Sequence, residues 1–242
     1  MSFLSLRGIS KSFGGIQALT NISFDIERGK IVGIMGANGA GKTTLFNVIT
    51  GHLAPSSGQI FLNDTLLTGL RPDQVCRAGI GRTFQIVKPF PQLTVKENLL
   101  TAAMFGTIAL HDRQTALSHC DEILVEMGMS NLANLPAQEL TLSGQKKLEL
   151  ARAVCTGSEV ILLDEVMAGL TPPEVAEMSV IIARLHQSRN LTLLIIEHVM
   201  RALMELSSHI IVLHHGEKIA AGSPQEITEN PRVHEVYFGE KK

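Results

Sequence analysis

The chain predicts an α/β fold with a mostly parallel sheet and an inserted helical subdomain. Three observations predict it. Short apolar runs of strand length alternate with segments of helical period towards both ends of the sequence. A glycine-rich turn, Gly36-Ala-Asn-Gly-Ala-Gly-Lys42-Thr43-Thr44, joins one such run to a helix. The stretch 94–157 changes character and reads as helical.

Strand-like runs come first, at Phe3–Ile9, Ile22–Ile26 and Ile31–Met35, separated by Gly14-Gly15 and Gly29. A helix follows from Lys42 to about Ile49, closed by Gly51. Next come a strand near Gln59–Leu62, a helix begun by Pro72 and a strand at Ile80–Phe84. The capping box Thr94-Val-Lys-Glu97 opens the helical stretch. Alternation then resumes: strand Val160–Leu163, helix Pro172–His186, strand Leu191–Ile196, helix Val199–Leu206 and strand Ile210–Leu213. Thr171, Pro172 and Glu174 are start signals for the helix after residue 171. Its Val175, Met178, Ile182 and Leu185 form a stripe that should face the sheet. A third capping box, Ser223-Pro-Gln-Glu226, begins a short C-terminal helix. The expected organisation is one domain over 1–242: a core of 1–93 and 158–242, and a helical subdomain of 94–157.

At 242 residues the chain can bury a sizeable core, and with 45% hydrophobic but only 4% aromatic residues that core must be aliphatic. A net charge of −2 argues against a nucleic-acid partner bound through bulk charge. Cys76, Cys120 and Cys155 are odd in number and lack metal-ligand spacing, which predicts reduced thiols. No segment reaches the roughly 18 uninterrupted apolar residues of a membrane span, and the N-terminal stretch lacks a signal peptide's apolar core. A mean hydropathy of +0.19 without a span suits a protein that buries surface against a partner.

The glycine-rich turn fits G-x-x-x-x-G-K-[ST] in its strand–loop–helix context. Glycines there let backbone N–H groups turn inward, and with the positive end of the helix they form a nest for nucleotide phosphates. Gly36, Ala37, Asn38, Gly39, Ala40, Gly41 and Thr44 are thus candidate nucleotide contacts. Lys42 would reach the β- and γ-phosphates, and the Thr43 hydroxyl would hold Mg²⁺. A second strand should deliver a carboxylate, and Val160-Ile-Leu-Leu-Asp164-Glu165 does so. Asp164 is expected to hold the metal through a water, and Glu165 to accept a proton from the water attacking the γ-phosphate. Gln85, at a strand-to-loop junction, could contact Mg²⁺ or that water, and His198, at another strand end, could donate to the γ-phosphate.

On these motifs the chain resembles the ATP-binding subunit of an ATP-binding-cassette (ABC) transporter, nearly end to end. Gly36–Thr43 match Walker A, Gln85 the Q-loop, Asp164-Glu165 Walker B with the catalytic glutamate, and His198 the switch histidine. The resemblance implies a P-loop NTPase core of RecA type, an antiparallel β subdomain and an inserted helical subdomain. It also gives Phe13 the place of the aromatic that stacks on adenine. Within the family the chain is most similar to the ATPases of branched-chain amino-acid uptake systems. Arg82-Thr-Phe-Gln85, Leu93-Thr-Val-Lys-Glu-Asn98, Lys147-Leu-Glu-Leu-Ala-Arg152, Ala168-Gly-Leu170, Glu197-His-Val-Met200 and Val236-Tyr-Phe-Gly239 carry that likeness.

The chain departs from the family at the signature, usually L-S-G-G-Q, where it reads Leu140-Thr-Leu-Ser-Gly-Gln145. Counting back without a gap from Ala151-Arg152 puts Thr141 at the signature serine and Ser143 at its second glycine. A one-residue deletion would instead align Leu142-Ser143 and Gly144-Gln145. The ungapped register is favoured, because a deletion would turn the helix by about 100° and misplace Leu148 and Ala151. Val166 replaces the usual proline after the catalytic glutamate, and Thr171 the usual aspartate of the dimer-contacting loop. The resemblance implies ATP and Mg²⁺ as ligands, with Thr141, Ser143 and Gly144 presented to ATP on a second ATPase subunit. It further implies transmembrane permease subunits, indirectly a substrate-binding protein, and a place at the cytoplasmic membrane face. Alternatives are a lipid-export ATPase, or a soluble cassette acting on a protein or nucleic-acid complex.

Overall fold

The computed structural model describes residues 2–84 and 89–238, without the side chains of Tyr237 and Phe238. In chain order the elements begin with β1 (Leu4–Phe13), β2 (Ile16–Ile26), β3 (Ile31–Met35), α1 (Lys42–Ile49), β4 (Ser57–Leu62) and β5 (Thr65–Leu66). Then come α2 (Pro72–Arg77), β6 (Ile80–Arg82), α3 (Val95–Phe105), α4 (Arg113–Glu126), α5 (Leu142–Cys155) and β7 (Val160–Asp164). The last are α6 (Pro172–Arg189), β8 (Thr192–Ile196), α7 (Met200–Leu206), β9 (His209–His214), β10 (Glu217–Gly222), α8 (Pro224–Glu229) and α9 (Pro231–Phe238). They form two compact units, Met1–Val75 with Thr192–Lys242, and Cys76–Leu191.

In the first unit, four antiparallel strands lie in the order β2-β1-β4-β5. The β1–β2 ladder runs from Leu4 opposite Ile26 to Phe13 opposite Ile16, closed by Gly14-Gly15. The hairpin therefore extends well past the expected ends at Ile9 and Ile22. Its outer part pairs Ser12 with Gln17 and Lys11 with buried Leu19, so the Ser10-Lys-Ser12 side lacks apolar alternation although main-chain pairing continues through it. A separate set of strands is ordered β10-β9-β3-β8, with β3 parallel to both β8 and β9. Every residue of β3 and β8 is buried, as strands covered on both faces require, and the one polar residue, Thr192, accepts from the Gly29 N–H at 2.9 Å. The hairpin strand β10 was not expected, because Glu217-Lys-Ile-Ala-Ala-Gly carries little strand pattern. His215-Gly216, at φ +46° and +79°, makes its turn.

In the second unit β6 and β7 pair in parallel, Ile80 opposite Val160 and Arg82 opposite Leu162. The expected strand Ile80–Phe84 is thus shorter, ending at Arg82. The stretch 94–157 contains α3, α4, two 3₁₀ turns (Ser130–Leu132 and Ala137–Glu139) and α5. Leu99, Ala103, Ala116, Cys120, Ile123, Leu148, Ala151 and Cys155 are buried there. Each large aliphatic among them contributes about 1.5–3 kcal/mol on burial. Cys120 and Cys155 lie with Sγ atoms 3.9 Å apart, and all three cysteines are free thiols. On α6 the stripe is buried at Met178, Ile182 and Leu185, joined by Ile181, while Val175 is half-buried. All three capping boxes form, with Glu97, Glu174 and Glu226 accepting the backbone N–H of Thr94, Thr171 and Ser223 at 2.8, 2.8 and 2.7 Å.

Candidate functional site

The first unit builds its candidate nucleotide contacts almost wholly from main chain. Buried β3 stops at Met35, and the loop Gly36–Gly41 turns into α1. Gly41, the N-cap of α1, has φ +102°, and a Cβ there would lie 2.7 Å from the Ala18 carbonyl oxygen. At Gly36 an added Cβ would lie 2.8 Å from the Leu213 carbonyl oxygen. The loop is braced by the Gly216 N–H, which donates to the Ala40 carbonyl (3.0 Å), while the Gly216 carbonyl accepts from the Thr20 N–H (2.8 Å). Helix α1 has no side-chain cap and no acidic residue in its first turn. Its leading N–H groups and positive end thus face the loop without a competing anion. Lys42, only 8% exposed, bends back so that Nζ donates to the carbonyls of Gly36 (2.6 Å) and Ala37 (3.1 Å). Ala37, Asn38, Gly39 and Thr43 are exposed, Thr44 is half-buried, and Ala40 is buried against the core.

His198 lies at the same end of this unit. Ile196 of β8 sits opposite Ile34 of β3, and exposed His198 follows two residues later. The loop and the imidazole therefore stand at the C-terminal ends of neighbouring parallel strands, where ligands bind in open α/β sheets. Phe13 is 45% exposed at the hairpin tip near Ile16, with Lys11 Nζ 5.2 Å from its ring centre.

The second unit builds its candidate residues from side chains. Asp164 ends β7 and is 1% exposed. Arg82, at the end of β6, donates from a terminal guanidinium nitrogen to Asp164 Oδ2 at 2.7 Å, with both side chains buried. The Asp164 N–H donates to the buried Thr83 hydroxyl at 3.0 Å. Asp164 Oδ1 is buried and has no hydrogen-bond partner among the described residues. An oriented carboxylate oxygen of this kind fits a hydrated divalent cation. Mg²⁺ keeps several waters and takes one or two carboxylates plus substrate phosphates, and no cluster of three acidic, histidine or cysteine ligands occurs among the described residues. Glu165 is buried in the left-handed region, φ +53°. Its carbonyl accepts from Lys146 Nζ (3.0 Å) and from the Ala168 N–H (3.2 Å).

Thr141 is the N-cap of α5, its hydroxyl oxygen accepting from the Gly144 N–H at 3.2 Å. Ser143 and Gly144 are buried in the first turn, and Leu142 is exposed. Gln85 lies outside the described residues. The sequence reading missed the roles of Arg82, Thr83 and Lys146. A charge at the end of a strand was the available sign for Arg82. For Lys146 it was a lysine in helical step with buried Leu150 and Ala153.

Alternating strands and helices, a helix-start anion nest and a strand-end carboxylate pair define a nucleotide-binding P-loop protein. Residues 19–168 match the family described as ABC transporter, and residues 217–242 match the branched-chain amino acid ATP-binding cassette transporter family. The high-affinity branched-chain amino acid transport ATP-binding protein LivG of Salmonella typhimurium is 39% identical, over 98% of each chain. The corresponding protein BraF of Pseudomonas aeruginosa is 36% identical, again over 98% of each. Among solved structures, the ADP conformation of an ATP-binding cassette of an ABC transporter superposes with a TM-score of 0.89. It is 30% identical, with 99% of this chain and 100% of that chain covered. The chain belongs to the ABC transporter family, as an ATP-hydrolysing cassette of its branched-chain amino acid group. No helix among the described residues is long and apolar enough to cross a membrane.

Proposed function

We propose that this cassette hydrolyses ATP to energise uptake of a branched-chain or related small amino acid through separate membrane-embedded permease subunits. It would work as a head-to-tail pair of cassettes at the cytoplasmic membrane face, with a substrate-binding protein acting on the permease. One observation carries the chemistry: the glycine loop ends in left-handed Gly41 at an uncapped helix start, with the Lys42 ammonium folded over it. The cargo rests on the 39% identity to LivG.

Lys42 exchanges its carbonyl partners for the β- and γ-phosphates, and the loop N–H groups of 36–44 hold the phosphate oxygens. Mg²⁺, when bound, neutralises charge on the β- and γ-phosphates. The residues offered to it are Thr43 through its hydroxyl, Asp164 through Oδ1 and a water, and Gln85. Glu165 takes the proton of the attacking water, and His198 donates to the γ-phosphate. Phe13 stacks on the adenine. Thr141, Ser143 and Gly144 reach the nucleotide held by the opposite cassette. Residues 94–157 act as the helical subdomain, and 1–93 with 158–242 as the core. The segment after Gln85, which includes exposed Phe90, is the surface offered to the permease.

Glu165→Gln tests the chemistry, since an amide keeps the size of the side chain but takes no proton. Steady-state phosphate release should fall to background while Mg-ATP binding persists, and ATP should accumulate the variant as a dimer on size-exclusion chromatography. Near-normal turnover would sink the general-base assignment. Loss of this protein from a cell without a redundant system should abolish uptake of labelled leucine, isoleucine and valine. Normal uptake would refute the cargo and leave the ATPase chemistry standing.

A further inference from the structure

Glu165 is one of the few non-glycine residues with positive φ, at +53°. The left-handed region is unfavourable for an L-residue with a Cβ, and a residue remains there only where its surroundings hold it. Two donors converge on its carbonyl. One is the Ala168 N–H, 3.2 Å away, which closes the local turn. The other is Lys146 Nζ at 3.0 Å, from α5 and 19 residues away in sequence. Lys146 is 4% exposed, an uncommon place for a lysine, so its ammonium has been taken out of water to make interactions of this kind.

The backbone conformation of Glu165 sets where its Cα–Cβ bond points, and so where its carboxylate can reach. Relaxation to the right-handed region would swing the side chain away from its present direction. From this geometry we infer that Lys146 is a positioning residue for Glu165, holding the peptide that aims the general base. It also links that base to α5, the helix whose N-cap is Thr141 and whose first turn holds Ser143 and Gly144. A shift of α5 on docking against a second cassette would thereby be felt at Glu165. The inference rests on Glu165 being the proton acceptor and adds Lys146, directly after the signature stretch Leu140–Gln145, to the residues that serve it.

The test is kinetic, on the full chain. In Lys146→Met the carbonyl loses its charged donor, and kcat should fall about 10- to 100-fold. KM and the ATP dissociation constant should stay within about twofold, because the phosphate cradle is untouched. Lys146→Arg keeps a cationic donor and should recover most of the rate. In a Glu165→Gln background, Lys146→Met should add no further loss to the residual single-turnover rate, since its target is already disabled. Unchanged kcat in Lys146→Met would overturn the inference. So would equal loss of kcat and ATP affinity, or independent, multiplying losses in the double variant, either of which marks a general structural role. Should Lys146→Met not fold, the same readings are taken on Lys146→Gln, with the same outcomes deciding. A normal rate in Glu165→Gln alone would instead remove the base assignment itself, a failure visible before any Lys146 variant is made.

Discussion

The glycine loop and the end of β7, the two regions on which the proposed chemistry draws, are built in opposite ways. The loop is local main chain: six residues between β3 and α1, shaped by glycines and completed by the first residues of the helix they cap. The end of β7 is long-range side-chain work. Arg82, 82 residues from Asp164, grips its carboxylate, Thr83 accepts its amide, and Lys146 holds the next peptide. The loop should therefore fail when an atom is added, and the strand end when a charge is removed.

The largest effect is expected at the strand end. Arg82→Met strands the buried Asp164 carboxylate without its cation and should destabilise the fold by about 3–5 kcal/mol. The urea midpoint should fall at unchanged m-value. Replacing both partners, in Arg82→Met with Asp164→Leu, should restore most of that stability while leaving no hydrolysis. An Arg82→Met protein as stable as the parent would show that the 2.7 Å contact orients without stabilising.

The loop gives the next effect, with an internal control. Gly41→Ala places a Cβ 2.7 Å from the Ala18 carbonyl oxygen at φ +102°, whereas Gly39→Ala, at φ +81°, meets nothing within 4 Å. The second variant suffers backbone strain alone, about 1–2 kcal/mol. The first adds a clash with backbone that must move, and should lose ATP affinity more severely in a nucleotide titration. Equal affinities in the two variants would mean that the loop yields more readily than its contacts imply.

This contrast also explains what could be read from the sequence. A feature made of consecutive residues leaves a consecutive trace: the loop, the Asp164-Glu165 pair after four apolar residues, and the three capping boxes all lie within short windows. The parallel strands were legible because burial on both faces demands apolar runs, as in Val160–Leu163 and Leu193–Ile196. The outer β1–β2 hairpin was not, since Ser10, Lys11 and Ser12 give its first strand no apolar alternation. Strand β10 escaped because Glu217-Lys-Ile-Ala-Ala-Gly222 carries little strand pattern. Arg82 and Lys146 were visible only as charges among apolar neighbours, and their targets depend on a tertiary arrangement that no local pattern encodes. At α5 the local trace itself is ambiguous, since Leu140–Gln145 admits two registers.

That ambiguity can be resolved by side-chain truncation, with a smaller effect. Thr141 caps α5 by accepting from the Gly144 N–H, so Thr141→Ala should cost about 1 kcal/mol of stability. In the ungapped register the same hydroxyl can donate across the dimer, so ATPase activity should fall further than stability accounts for. Ser143→Ala should be milder, and Ser143→Gly neutral or activating. A Ser143→Ala protein with the greater ATPase loss would favour the register that places Ser143 at the signature serine.

The smallest expected effect lies at the start of α6 and reads as a pH dependence. The Thr171 backbone N–H, and then its hydroxyl, hold the Glu174 carboxyl below its ordinary value of 4.5. A depressed pKa in the folded state means that the unfolded chain binds this proton more readily. The stabilisation is therefore fully present above pH 4.5 and is lost as pH falls through the lower folded-state value. Glu174→Ala should be less stable than the parent at neutral pH, and the gap should narrow as urea titrations move from pH 6 towards pH 3. The side chain is solvent-exposed, so salt should leave most of the hydrogen-bonded part of the gap and screen only its weaker attraction to Lys147. A gap that stayed constant with pH would assign the stabilisation to packing at the helix start rather than to the carboxylate.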